Sequence, residues 1–585
     1  MLNFLRYTGI LPSNPLVAAL EAAADPAAPQ LVHNEKGAFD WNKIGQDATS
    51  KVLEFWYQAV RGTDSTSTLE RLAIAYNEEP LLTVKAIFQI RDIRGGKGER
   101  ALGRICFEWL AKNHPKTLAA NLWAVVEMGR WDDLYCLWDV PAVQKFVVNA
   151  VKENFPVALY TVSQIAQDDE DPRQTNAQNL IEKLRTFGIT LSENAPESLG
   201  KTNLIGKWLA SEDSKWNKSL VRSLAKKVCH ALNPEIKSKD IWPFYRRVCS
   251  VLRMPLDLVE TALASKHVET INYNTVPGQA MRRHGGACGN AECLGKESKC
   301  KKCKAFIRQD QERFQAFLNQ LREQRTKPAA EITVKVNSRT LHPHEVTKGY
   351  KAVCDARTVL PPPLLDEMLE AMWLSIKSRI NGEALGRMLP MLDASGSMNG
   401  LPFEAGAALA LLIATTIPED NEFHRRIISF TDLPEFHTVK GDTLRDQIAS
   451  LSTMRVGYST QFRLALELIL NTAVRLKLPQ EVLPDVILVL TDGQWDAFDK
   501  SYKTGISNAA ELFRQAGYIM PRMVLWNLHQ TNTYPTTIGD GRCTLVSGFS
   551  PEILNCILNG ENFSPSSAML NVLNQDRYSK LQVVD

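Results

Sequence analysis

The chain has 585 residues, too many for one hydrophobic core, since single cores stop growing near roughly 250 to 300 residues. Hydrophobic residues make up 44% and charged residues 23%, which is ordinary for a globular protein and argues against a disordered or fibrous chain. A net charge of +3 argues against a generally polycationic protein, and no window approaches the roughly 18 consecutive apolar residues of a membrane span.

The first residues, MLNFLRYTGILPSNP, make a poor signal peptide because Pro12 and Pro15 break a short apolar stretch. A cytoplasmic location and no membrane partner are therefore expected. Eleven cysteines in this length do not form a secreted disulfide framework. Cys106, Cys136, Cys229, Cys249, Cys354, Cys543 and Cys556 are scattered and read as reduced core residues.

Residues 1–47 form an N-terminal segment, and a helical region is predicted over 48–380. Apolar residues recur at spacings of three and four in Val52, Phe55, Trp56 and Val60, then in Leu69, Leu72, Ala73 and Tyr76. Further helices are predicted over 81–90, 101–110, 117–128, 143–155, 176–187, 218–232 and 242–252. Breaks fall at Asn77 to Pro80 and Asn113 to Pro115. Many helices with short connections suggest stacked pairs, a solenoid of the HEAT or armadillo kind. No strict sequence repeat accompanies them.

Two turns interrupt this pattern. In Arg91-Asp92-Ile93-Arg94-Gly95-Gly96-Lys97-Gly98-Glu99-Arg100, three glycines alternate with basic residues just before a helix. Free backbone N–H groups beside positive charge hold phosphates at helix N-termini, so Arg91, Arg94, Lys97 and Arg100 are candidate nucleic-acid contacts. The equal alternative is a tight interhelical turn with solvated charges. In Gly129-Arg130-Trp131-Asp132-Asp133-Leu134, one aspartate is expected to cap the next helix with Trp131 packed beneath, a structural role.

The stretches FQIRDIRGGKGER, MGRWDDLYCLWD, WLASEDSKWNKSL, YRRVCSVLR and VPGQAMRRH, with the late LVSGFSPEIL, resemble a large family distantly similar to the TROVE module of the Ro and telomerase-associated proteins. Members join a helical-repeat N-terminal region to a von Willebrand factor A-like C-terminal domain. The resemblance spans about residues 30 to 560 and implies that fold and a general RNA-binding expectation, without particular contact positions.

Between residues 266 and 304 the helical pattern gives way. Cys288, Cys293, Cys300 and Cys303 stand at C-x₄-C-x₆-C-x₂-C in a Gly- and Lys-rich stretch with too few large apolar residues for its own core. Four thiolates suit tetrahedral Zn²⁺, which would supply folding energy to an insertion at 284–304; His284 could replace one of them. The alternative is a loop of free cysteines. Residues 281–327 hold 12 Lys or Arg against 5 Asp or Glu, so the rest of the chain is slightly acidic. Arg282, Arg283, Lys301, Lys302 and Lys304 are candidate nucleic-acid contacts, or a solvated face.

ITVKVNS, residues 332–338, alternates like a short exposed strand. After Pro361 to Pro363 and a helix over 364–376, a boundary is placed near 378–386. An α/β domain over 381–585 follows, with strands at 387–393, 424–430, 485–491, 520–527 and 542–547 and helices at 402–417, 443–452, 460–475 and 505–516. An antiparallel edge hairpin is expected around Leu433 and Pro434. This alternation predicts a doubly wound, mostly parallel sheet covered on both faces.

Asp393, Ser395 and Ser397 share one tight turn after an apolar strand, a set of oxygen ligands suited to a hard cation such as Mg²⁺. Thr460 follows in the loop Gly457-Tyr458-Ser459-Thr460, and Thr491-Asp492-Gly493 ends another strand. In an open α/β sheet such turns meet at the carboxyl ends of the strands. Asp393-Ala-Ser395-Gly-Ser397, then Thr460, then Asp492 resemble the metal-ion-dependent adhesion site of von Willebrand factor A domains, with all signature positions filled. The resemblance implies a Mg²⁺ or Mn²⁺ with an open coordination position for a partner's carboxylate.

No nucleophile elbow, HExxH or catalytic His-Cys spacing occurs, and no enzyme is expected. The leading expectation is a monomeric RNA-binding protein: a helical arc or ring holding a small or structured RNA through basic loops, joined to an A-like domain that binds a cation and a protein partner. The alternative is a metal-dependent interaction scaffold without nucleic acid, for an ATPase or assembly partner.

Overall fold

The computed structural model describes residues 31–33, 39–41, 50–191, 196, 204–285, 304–325, 331, 333–350, 365–430, 433–454, 457, 462–493, 502–529, 543–554 and 564–585, with only the backbone of 31–33, 39–41 and 502–507. Cys288, Cys293, Cys300, Cys303, Lys301, Lys302, Thr460, Cys354 and Cys556 lie outside the described residues. Two compact units result. One comprises residues 1–83, 342–363 and 376–577, and the other 84–341, 364–375 and 578–585.

The first unit is built on a sheet. After an antiparallel pair, β1 (Leu31–His33) and β2 (Phe39–Trp41), come β3 (Met388–Asp393), β4 (Arg426–Phe430), β5 (Glu435–Thr438), β6 (Val486–Thr491), β7 (Arg522–Asn527) and β8 (Cys543–Ser547). The six later strands lie in the order β5-β4-β3-β6-β7-β8, parallel throughout except for β5 against β4. Every residue of β3 is buried, as an unbroken apolar run predicts for a strand covered on both faces.

Helix Leu401–Thr416 lies close on this sheet, and Gly406 permits it: a Cβ there would stand 2.8 Å from Leu392 and 2.9 Å from Leu528. The edge hairpin forms as predicted, with Ile428 opposite Phe436. The predicted boundary near residue 380 is too simple. Helices Lys51–Gln58 and Ser65–Glu78 belong to the sheet unit, where the Trp56 carbonyl accepts from Ser547 Oγ at 3.3 Å and Arg61 lies 5.1 Å over the Phe549 ring. Phe55, Trp56 and Tyr57 are all buried, more apolar surface than a one-sided helix stripe needs.

The second unit is helical. Helix Lys218–Leu232 falls where predicted and is capped by Asn217, which accepts from Ser219 N at 2.8 Å. Helix Pro141–Gln167 runs twelve residues past the predicted end, straight through Pro156. Burial of Val157, Ala158, Leu159 and Val162 beyond it outweighs the roughly 3 kcal/mol a mid-helix proline costs. The predicted single helix over 117–128 is instead two, Pro115–Ala120 and Leu122–Met128, parted at Asn121. Its side chain is taken up elsewhere, donating to the Gln582 carbonyl at 2.7 Å and accepting from Gln582 N at 3.1 Å.

The strand predicted over 332–338 does not form among the described residues there; Asn337 makes one isolated bridge to Pro277. Side chains satisfy that backbone instead: Gln324 Oε1 accepts from Thr333 N and Val334 N, and Asn274 Oδ1 from Lys335 N. Cys106, Cys136, Cys229, Cys249 and Cys543 are free thiols, four of them buried. No helix among the described residues is long and apolar enough to cross a membrane.

Candidate functional sites

The glycine-rich loop after helix Pro80–Arg91 is not an open phosphate cradle. Its amides are already used: Ile93 N donates to the Met128 carbonyl, Arg94 N and Gly95 N to Asp92 Oδ1, Lys97 N to Gln89 O, Gly98 N to Asp92 O and Glu99 N to Ile90 O. The glycines serve tightness, since a Cβ on Gly96 would fall 2.0 Å from the Gln89 carbonyl oxygen and Gly98 has φ +70°. Two of the predicted phosphate-binding side chains therefore need correcting. Arg91 is 1% and Lys97 0% exposed, so neither reaches a ligand in solvent.

Arg91 instead builds the interior. Its Nε donates to Asp133 Oδ2 at 2.8 Å, and Arg104 Nε donates to Asp133 Oδ1 at 2.8 Å. Asp133 also accepts from Arg130 N at 2.9 Å, the capping role expected of that turn. Asp132 pairs with Arg100 and with Arg104 NH2 at 3.3 Å. Trp131 is buried, stacked at 5.7 Å on Phe146. Burial takes the Lys97 ammonium well below its usual range, with Glu99 opposing.

Beside this network the helical unit opens a cleft of about 1620 Å³. One wall carries Arg100, Arg104, Arg130 and Asp132. Another carries Lys207, Trp208, Lys215 and Trp216, and a third Arg247 and Arg253. Lys183 and Arg283 complete the basic lining. Nine basic side chains thus face three acidic ones, Asp132, Asp213 and Glu260.

The second wall is held from behind. Tyr135 OH donates to the Trp208 carbonyl at 2.9 Å and accepts from Ala210 N at 3.0 Å, while Tyr245 OH donates to the Ala210 carbonyl at 2.9 Å. Arg253 donates to the carbonyls of Gly206 at 3.0 Å and Leu209 at 2.8 Å. A Cβ on Gly206 would lie 2.3 Å from the Leu252 carbonyl oxygen, so only glycine lets this short helix approach so closely. Guanidiniums lie on both tryptophans, Arg130 5.0 Å over Trp208 and Arg104 5.1 Å over Trp216.

Of the residues predicted to touch nucleic acid, Arg100 and Arg283 line this cleft. Arg94 is turned to the Glu127 carbonyl at 2.6 Å, and Lys304 donates to the Arg282 carbonyl; none of Arg94, Arg282 and Lys304 lines it. Composition along the chain missed Arg104, Arg130, Lys183, Lys207, Lys215, Arg247 and Arg253, which come from five separated segments. A signal did exist: MGRWDD, WLASEDSKWNKSL and YRRVCSVLR contain Arg130, Trp208, Lys215, Trp216, Arg247 and Arg253.

The sheet unit gathers a different site. Asp393 ends β3 and Thr491 ends β6, and Thr491 Oγ1 donates to Asp393 Oδ2 at 2.7 Å. Ser395 N donates to Asp393 Oδ1 at 3.0 Å, and the Ser395 and Ser397 hydroxyls stand 3.1 Å apart. Asp492 follows Thr491 and, like Asp393, is fully buried. Burial, and then the Asp492 carboxylate, raise Asp393 above the usual carboxylate range.

Thr460 itself is not described, but Gly457 N donates to the Ala394 carbonyl at 3.1 Å, so its loop begins against this turn. Two buried carboxylates, with the hydroxyls of Ser395 and Ser397 on the turn after Asp393, form an oxygen-only set of the kind a hard divalent cation takes. Among the described residues no cluster of three or more His, Cys, Asp and Glu occurs, as befits a set with two carboxylates. His284, the alternative zinc ligand, is half-buried beside Phe306.

Residues 388–582 match a family model described as a domain of unknown function (DUF7788), and residues 44–183 match another domain of unknown function (DUF2828). The chain is 25% identical over 558 residues to "Uncharacterized protein L728" of Acanthamoeba polyphaga mimivirus, covering 93% of this chain and 87% of that protein. Among solved structures it is similar to the Deinococcus radiodurans RO (RSR) protein, at 15% identity over 91% of this chain and 95% of that one, with a TM-score of 0.29. The first family match ends beyond the sheet, at residue 582, and includes Asp393, Ser395, Ser397 and Asp492. The second stops short of Trp208 and the rest of the cleft's second and third walls.

Proposed function

We infer that this protein binds RNA in the cationic cleft of its helical unit, as a binding protein and not an enzyme. The observation that carries this reading is the cleft itself: nine basic side chains against three acidic ones, with two tryptophans at the wall. Lys and Arg grouped in a groove neutralise backbone phosphates and release counterions, and aromatic faces take bases. The choice of RNA over DNA comes from the resemblance of the surrounding motifs to TROVE-containing proteins.

The test is a salt titration of RNA affinity with the full chain. Affinity is expected to fall log-linearly with salt, and the combined substitution Lys183→Gln, Lys215→Gln and Arg247→Gln is expected to flatten the slope by about 0.7 for each phosphate no longer neutralised. Absence of binding at low salt, or an unchanged slope, contradicts the reading.

A second role is proposed for the sheet unit, supported by the buried pair Asp393 and Asp492 beside Ser395 and Ser397. These residues would hold Mg²⁺ or Mn²⁺, with Thr460 as a further ligand, in the manner of a von Willebrand A-like adhesion site. A bound cation would relieve the repulsion between the two carboxylates. It would also present a Lewis-acidic position to a carboxylate of a protein partner. Calorimetric titration with Mg²⁺ and Mn²⁺, using Asp393→Ala as control, tests this role.

A further inference from the structure

The arginine cluster on the first wall has more cations than anions. Asp133 is shared by Arg91 and Arg104, and Asp132 by Arg100 and Arg104. Arg130 is left over: among the described residues its guanidinium pairs with no carboxylate and lies over the face of Trp208. Lys207 shares the same indole, its Nζ 5.8 Å from the ring centre. Burial and the charges of Arg91 and Arg100 lower the Arg130 pKa, against the opposing pull of Asp132 and Asp133. Four guanidiniums thus surround two carboxylates, and three of the four, Arg100, Arg104 and Arg130, face the cleft.

Partly desolvated charge is stabilised when an opposite charge meets it with hydrogen bonds. An internal phosphodiester of a nucleic acid brings one negative charge. A terminal phosphomonoester brings about 1.5 to 2 at neutral pH, with three acceptor oxygens, which matches an excess of two cations more closely. Guanidinium forks suit those oxygens in bidentate geometry.

The geometry points to a phosphomonoester subsite at the corner formed by Arg100, Arg130 and Lys207, which holds the terminal phosphate of a nucleic acid lying in the cleft. This rests on the RNA-binding reading and deepens it. A free phosphate or a small phosphate ester carries the same chemistry, so the test separates those sources.

The experiment measures affinity of the full chain for one single-stranded RNA oligonucleotide made with 5′-phosphate, with 3′-phosphate and with hydroxyls at both ends, and, by direct titration, for inorganic phosphate and a nucleoside monophosphate. One phosphorylated form is expected to bind about tenfold more tightly than the hydroxyl form, a difference of one decade in the equilibrium constant. Arg130→Gln is expected to abolish that ratio, so that within the variant the phosphorylated and hydroxyl forms bind alike, whatever the change in overall affinity. The fold survives this change because Asp133 keeps Arg91, Arg104 and the residue 130 amide. Lys207→Gln is expected to reduce the ratio in part.

Equal affinity for all three oligonucleotides overturns the subsite and leaves RNA binding standing. Direct binding of inorganic phosphate or the monophosphate, lost in Arg130→Gln, with no oligonucleotide bound, supports the subsite with a small phosphate species as its ligand and overturns the RNA reading. Absence of binding by every probe overturns both.

Discussion

The two units differ in how their chemistry is distributed along the chain. In the sheet unit the candidate ligands sit at strand ends, so parallel topology brings Asp393, Ser395, Ser397 and Asp492 together from two short motifs. In the helical unit, of the basic residues that lie close in sequence, Arg91 and Lys97 are buried by folding and Arg94 is turned to the Glu127 carbonyl, which leaves Arg100 in the cleft. Those lining the cleft are spread from Arg100 to Arg283. A local charge run is therefore a poor guide to a charged surface in a helical array, whereas strand-end motifs are brought together by the sheet topology itself.

The largest effect that would break this comparison lies at Asp133. Asp133→Asn removes a buried partner of Arg91 and Arg104, and is expected to destabilise the helical unit by about 3 to 5 kcal/mol, measured by urea unfolding followed by circular dichroism. If stability is unchanged, the 91–100 loop is not consumed by folding and becomes available for ligands again.

Next comes the sheet unit. Asp393→Ala is expected to abolish Mg²⁺ binding, and Thr491→Val to weaken it by about tenfold, because the threonine hydroxyl orients the Asp393 carboxylate. Calorimetry reads both, and an unaltered affinity in Asp393→Ala would place any bound cation elsewhere. A smaller effect is expected at Tyr578, whose hydroxyl donates to Asp92 Oδ2 at 2.8 Å from the C-terminal residues of the helical unit. Tyr578→Phe should cost about 1 to 2 kcal/mol by the same unfolding assay. A neutral result would show that Asp92 is held sufficiently by the Arg94 and Gly95 amides.

Much of the sheet unit was legible in the sequence, because continuous apolar runs such as Val486 to Leu490 and amphipathic helices such as Phe462–Leu476 have distinct periods. The edge hairpin was legible from its turn residues. Helix lengths in the other unit were less so. Pro156 reads as a stop, and only tertiary burial beyond it tells otherwise. Asn121 sits inside an apolar period, and its exchange with Gln582, far along the chain, is invisible to local pattern.

At the sites, the strand-end motifs of Asp393 and Thr491 lie side by side, as a parallel sheet requires of adjacent strand ends. Sequence leaves the glycine-rich loop open between a ligand cradle and a tight interhelical turn because it shows the loop's donors but not their acceptors, Asp92, Gln89, Ile90 and Met128. The cleft was missed for the complementary reason. Nothing local marks Trp208 and Trp216 as groove residues; that shows only once Tyr135, Tyr245 and Arg253 are seen holding the Trp208 to Ala210 turn.

The most direct measurement compares two variants of the full chain in the same RNA salt titration. One neutralises the cleft with Lys183→Gln, Lys215→Gln and Arg247→Gln, and the other neutralises the loop outside it with Arg94→Gln. A flattened salt slope in the first and an unchanged one in the second is the predicted result. The reverse, a slope that responds to Arg94 and ignores the cleft, would contradict it.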